Sequence, residues 1–148
     1  WGYELEVGVQ DRNFDAKGIA DQDGVFASLL VNWQISDMTE LVGELSNEFG
    51  TTLANQSTEI KSVGVQLNHT FDDRISLSLG LSNEEIEYIQ ANGARDDDRF
   101  SSFLTVDYKL MDGQWTLRGS VSHDDNDSTV APANYQALRG GLSSIFVF

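Results

Sequence analysis

Apolar and polar side chains alternate along most of the chain with a period of two. That spacing sends successive side chains to opposite faces of an extended backbone, so it predicts half-apolar β-strands and no helices. The first stretch, Gly2 to Gln10, sets Tyr3, Leu5, Val7 and Val9 against Glu4, Glu6, Gly8 and Gln10. The second sets Val25, Ala27, Leu29, Val31, Trp33 and Ile35 against Ser28, Asn32, Gln34 and Ser36. Next come Leu41, Gly43, Leu45 and Phe49 against Glu44, Ser46 and Glu48, then Val63, Val65, Leu67 and Phe71 against Gly64, Gln66, Asn68 and Thr70. The cleanest alternation is Ile75, Leu77, Leu79 and Leu81 against Ser76, Ser78, Gly80 and Ser82. A sixth stretch sets Leu104, Val106, Tyr108 and Leu110 against Thr105, Asp107 and Lys109, and a seventh Trp115, Leu117 and Val121 against Thr116, Arg118, Ser120 and Ser122. The eighth sets Leu138, Leu142, Phe146 and Phe148 against Arg139, Gly141 and Ser143, with Ile145 and Val147 breaking the pattern.

The connections alternate in length. Ser36 to Thr39, Asp72 to Arg74 and Met111 to Gln114 are short and rich in Asp and Gly, as tight turns require. Between them lie the long segments Asp11 to Gly24, Gly50 to Glu59, Asn83 to Arg99 and His123 to Asn134. Short turns on one side and long loops on the other are the signature of an antiparallel, up-and-down transmembrane β-barrel. The expectation is one all-β domain spanning residues 1–148, with eight strands visible. It leaves two forms open, a complete eight-stranded barrel and the C-terminal part of a larger one. An even strand count puts both chain ends at the rim that carries the short turns.

Placed this way, Trp1, Tyr3, Trp33, Phe71, Tyr108, Trp115, Phe146 and Phe148 collect at the short-turn ends of the strands. Aromatic girdles of this kind mark membrane–water interfaces. Phe49, Phe100 and Tyr135 fall at the opposite ends as a thinner second girdle. The competing fold is a soluble barrel or sandwich that buries the same Leu and Val residues inside.

Composition narrows the function classes. The 148 residues carry 24 acidic and 9 basic side chains, a formal net charge of −15. So acidic a chain repels nucleic acid. A mean hydropathy of −0.30 looks soluble, yet such averages miss transmembrane strands because half of each strand is polar. No apolar run approaches the roughly 20 residues that a membrane helix needs. With no cysteine there is no disulfide and no thiol or zinc-thiolate chemistry. Trp1 opens directly into a strand pattern without a leader, which reads as a mature form or an excised segment. Pro132 lies in a polar loop, where it interrupts no ladder.

Candidate lumen-lining residues are Glu4, Glu6, Glu44, Glu48, Gln66, Asp107, Lys109, Arg118 and Arg139, all on the polar face. In a closed eight-stranded barrel the charges would pair across a filled interior. In a wider pore they would select ions. Small inward residues such as Gly64, Ser76, Ser78, Gly80 and Ser82 fill a narrow barrel poorly and favour a wider or water-filled lumen. Acidic runs, among them Asp96, Asp97 and Asp98 and then Asp124, Asp125 and Asp127, are weak candidates for Ca²⁺ or Mg²⁺. They lack the spacing of a calcium loop, and solvated loops are the plainer reading. His69 and His123 share register with lipid-facing residues, lie toward opposite rims and offer no triad geometry. Neither an enzyme nor a cofactor is expected.

The closing stretch, Leu138 through Phe148, resembles the last strand of bacterial outer-membrane proteins. That resemblance implies a location in the bacterial outer membrane, contact with its lipid and lipopolysaccharide, and recognition by the barrel-assembly machinery. The texture of Gly8 to Asp15, Arg74 to Ser82 and Asp107 to Ser120 resembles the β-barrel porins associated with exopolysaccharide biosynthesis. This second resemblance implies a porin-like or export-associated channel with passive passage and no chemistry. That family has roughly twice as many strands. The alternative is a small closed barrel with a structural or adhesive role, acting through its acidic external loops.

Overall fold

A computed structural model describes residues 1–12, 22–51, 57–89, 95–110 and 114–147. They form one antiparallel sheet of eight strands in sequence order. The strands are β1 (Gly2–Arg12), β2 (Gln22–Ser36), β3 (Thr39–Thr51), β4 (Ser57–Thr70), β5 (Ile75–Ile89), β6 (Arg95–Leu110), β7 (Trp115–Ser128) and β8 (Tyr135–Phe146). A short 3₁₀ turn, Ala131–Ala133, precedes β8. Each strand pairs with its sequence neighbour, so the topology is a pure meander.

The registers place like with like. Ser28 lies opposite Ser46, Ser46 opposite Ser62 and Ser62 opposite Glu84. One position along, Leu29 faces Leu45 and Leu45 faces Val63. Slipping any ladder by one residue would exchange the faces, so the alternation itself fixes the register. Two short turns lock the hairpins. Ser36 pairs with Thr39 across Asp37–Met38. The Asp72 carboxylate accepts the backbone N–H groups of Arg74 and Ile75, each at 2.8 Å. The third short turn, Met111 to Gln114, lies mostly outside the described residues.

Among the described residues no second layer covers the sheet, and there is no dry apolar centre. Ile86 is the only buried hydrophobic residue among those described. Leu5, Val7, Val63, Val65, Leu79, Leu81 and Leu117 are all exposed. A soluble barrel or sandwich would bury them, so that alternative fails. On β5 the apolar Leu79 and Leu81 are exposed while the intervening Gly80 is buried. The polar side is therefore the more enclosed side of β5.

Most strands run further at the long-loop end than the sequence pattern indicates, β4 to β7 the furthest. β5 continues to Ile89 and β6 begins at Arg95, so Glu84 to Glu87 and Asp96 to Asp98 belong to strands and not to a loop. β7 likewise continues to Ser128 through His123 to Asp127, and β4 begins at Ser57. Alternation persists in these extensions, but carboxylates replace the apolar residues that marked it.

Among the described residues no ladder joins β1 to β8, and each keeps one free edge.

Candidate functional site

The enclosed face of the sheet brings charged side chains of both signs into register. From β5 to β8 it is built of cross-strand ion pairs. Arg118 lies opposite Asp107 and binds it through two parallel hydrogen bonds of 2.6 and 2.7 Å. Arg99 lies opposite Glu84 and contacts it at 3.3 Å. Arg139 on β8 bonds Asp124 on β7, whose carboxylate also accepts the Ser101 hydroxyl at 2.9 Å. Nearer the long-loop end, Arg95 bonds Asp97 and stacks over the Tyr88 ring, 4.4 Å from its centre. A bidentate guanidinium–carboxylate pair fixes both side chains as well as balancing charge.

From β1 to β4 the same face is built differently. Glu4, Glu6, Glu44 and Glu48 have no cation beside them among the described side chains. The one lysine of β4, Lys61, points to the other face and pairs with Glu59 at 3.4 Å. Amide and hydroxyl groups fill the space between. Asn68 donates to Glu40 at 3.3 Å and accepts from Gln66 at 2.8 Å and from Ser78 at 2.9 Å. Ser46 and Ser62 bond at 2.7 Å.

Every lumen-lining candidate drawn from the sequence lies on this face: Glu4, Glu6, Glu44, Glu48, Gln66, Asp107, Lys109, Arg118 and Arg139 share register along the ladders. The structure adds what alternation alone did not mark. Phe26 and Phe103 also lie on the polar side, each ring laid across a facing glycine, Gly8 and Gly80. Leu30, Val42, Ile60 and Ile86 join them. A glycine directly opposite a phenylalanine is the available signal, because only a missing Cβ leaves room for the ring.

The aspartates considered for Ca²⁺ or Mg²⁺ are separated by the strand geometry. Asp97 and Asp124 face inward and hold arginines. Asp96, Asp98, Asp125 and Asp127 alternate with them onto the opposite face. Among the described residues no group of three or more ligands stands together to hold a metal ion.

The aromatics of the short-turn rim sit on the apolar face. Trp1 and Tyr3 stack at 6.2 Å, and Phe71 meets the His69 ring edge-on at 4.5 Å. His69 accepts or donates a 2.8 Å bond with Thr39. Trp115 donates to Ser144 at 2.6 Å. Trp33, Tyr108 and Phe146 are exposed at the same level. Phe148 lies outside the described residues. In the thinner second set, Phe100 faces outward, but Tyr135 lies opposite Asn126 on the polar side and belongs to that face.

The protein-family profile described as "Putative beta-barrel porin 2" matches residues 3–145. The chain belongs to this family. A β-barrel porin family is not an enzyme family. The porin assignment also explains why the greasy residues stay exposed, since membership implies a membrane in which they are covered. Among curated proteins nothing matches the chain. Among solved structures nothing matches either.

Proposed function

We propose that the chain forms the wall of a passive, water-filled channel in the bacterial outer membrane. The supporting observation is the distribution of side chains on a single uncovered sheet. Apolar residues crowd one face and remain exposed, while serines, amides and charges occupy the other. Lipid satisfies the first face and water the second. The girdle Trp1, Tyr3, Trp33, Phe71, Tyr108, Trp115 and Phe146 would lie at the membrane interface. Among the described side chains the carboxylates of β1 and β3 have no cation beside them, whereas the arginines of β6 to β8 are neutralised by acids, so the lumen favours cations. Export of a hydrophilic polymer such as an exopolysaccharide is the finer form of the reading. Its support is the resemblance of the strand texture, together with a wall rich in hydroxyl and amide groups. The barrel-assembly machinery would read the last strand.

Planar-bilayer recording tests this. The expected result is a steady open conductance with cation preference, reduced by Glu44→Lys and Glu48→Lys together. Electrical silence of a correctly assembled protein would favour the structural or adhesive reading instead. One observation speaks for that second reading. Beyond Phe100 the outer surface of β4 to β7 carries Glu59, Glu85, Glu87, Asp96, Asp98 and Asp127 around a cavity of about 740 Å³.

A further inference from the structure

Between β5 and β7 the residue directly across the ladder from an inward carboxylate is an arginine, Arg99 opposite Glu84 and Arg118 opposite Asp107. At two places between β1 and β5 it is an aliphatic side chain instead. Leu30 stands between Glu4 of β1 and Glu44 of β3. Ile60 stands between Glu48 of β3 and Ile86 of β5. Glu4, Glu44 and Glu48 are exposed, Leu30 and Ile60 are half-buried, and Ile86 is buried. Resting on the channel reading above, we propose that this half of the lumen wall binds organic cations with an apolar body. The ammonium charge of such a solute meets Glu44 or Glu48, and its hydrocarbon lies along Leu30 or along Ile60.

Charge complementarity and apolar contact select this solute together. Opposite charges across a strand pair stabilise it, and the Arg118–Asp107 pair shows this wall using that device. Among the described side chains Glu4, Glu44 and Glu48 have no such partner. Leu30 and Ile60 cannot balance their charge, so the counter-charge is left to the solute. A wall made only for hydrated inorganic ions gains nothing from aliphatic residues at these positions. Hydroxyl groups would serve, as they do in the row between the two places, where Ser28 faces Ser46 and Ser46 faces Ser62. Binding sites for small organic molecules combine apolar contact area with a few charged groups that fix orientation. Leu30 with Glu44, and Ile60 with Glu48, each supply that combination. A strand rises about 3.4 Å per residue, which sets the two places roughly 14 Å apart along β3. Anionic solutes meet only repulsion here, and neutral ones leave the carboxylates unanswered.

Equilibrium dialysis of alkyltrimethylammonium ions against the whole protein in lipid nanodiscs tests this, with empty nanodiscs subtracting uptake by the lipid. Taking one methylene fully out of water is worth about fourfold in affinity. Butyltrimethylammonium carries three methylenes more than tetramethylammonium and lies against the wall on one side only, so it should bind about tenfold tighter. Leu30→Gln and Ile60→Thr together should bring that ratio close to one, and Leu30→Gln alone, which leaves the Ile60–Ile86 contact intact, should lower it. Glu44→Gln with Glu48→Gln should weaken both cations and keep the ratio. Butylsulfonate, with the same chain and the opposite charge, should not bind. Equal affinity of the two cations for the unaltered protein overturns the inference. So does a ratio that survives both the double variant and Leu30→Gln, or binding of butylsulfonate as tight as that of its cationic counterpart. Bilayer currents from the same preparation separate the two claims. An open channel whose protein binds both cations equally sinks only this inference, and a silent protein with the expected ratio sinks only the channel reading.

Discussion

The Phe103 ring lies flat across Gly80 on the neighbouring strand, so close that a Cβ built on the glycine would stand 2.2 Å from the ring. Phe26 covers Gly8 in the same way at 2.3 Å. Rings laid over glycines shield exposed backbone and pin the register of the strand pair.

The Gly80→Ala variant should therefore force the Phe103 ring off its seat at a cost of about 1–3 kcal/mol, the usual range for overpacking. Phe103→Ala should absorb the added methyl, so the double variant should unfold later in urea than Gly80→Ala alone. Additive losses in the two single variants would show that the ring and the glycine are not coupled.

Leu79 and Ser78 are sequence neighbours on opposite faces of β5. Leu79→Arg places a cation against lipid near mid-membrane and should cost about 2–4 kcal/mol. Ser78→Arg enters the polar face beside Asn68 and Thr105 and should cost less. Reversible unfolding from lipid vesicles measures both, and equal losses would contradict the face assignment.

The hairpin between β4 and β5 should be acid-sensitive. The backbone N–H groups of Arg74 and then Ile75 hold the Asp72 carboxyl below the ordinary carboxylate range, and the nearby Arg74 charge adds to this. A group whose folded pKa is depressed contributes stability above its unfolded pKa, about 3.9 for aspartate, and loses it as the pH falls through the folded value. Amide exchange at Arg74 and Ile75 should be protected at neutral pH relative to Asp72→Ala, and this difference should vanish in strong acid. Unchanged exchange in Asp72→Ala at neutral pH would remove the turn from the list of hairpin locks.

Much of this architecture was legible in the alternation, because a period of two assigns every residue to a face without reference to tertiary structure. The faces of Leu79, Ser78, Asp107 and Arg118 all followed from it. Strand ends were not legible where polarity erased the contrast. Glu84 to Tyr88 alternate as faithfully as Ile75 to Ser82, but with Glu85 and Glu87 outside and Ile86 inside, so the pattern reads as loop. Inward Phe26 and Phe103 were hidden for the converse reason, since an apolar residue on the polar face looks like noise until its glycine is found opposite. Closure could not be read at all. Whether β1 meets β8 depends on curvature summed over the whole sheet, and no single residue encodes it.

Everything functional rests on which face meets lipid. A spin label walked from residue 75 to 82 along β5 in a bilayer measures that directly, through its relative exposure to dissolved oxygen and to a water-soluble nickel complex. Oxygen contact should peak at positions 75, 77, 79 and 81, and nickel contact at 76, 78, 80 and 82. The reverse phase, or no alternation, would contradict the inverted arrangement of greasy wall and wet interior.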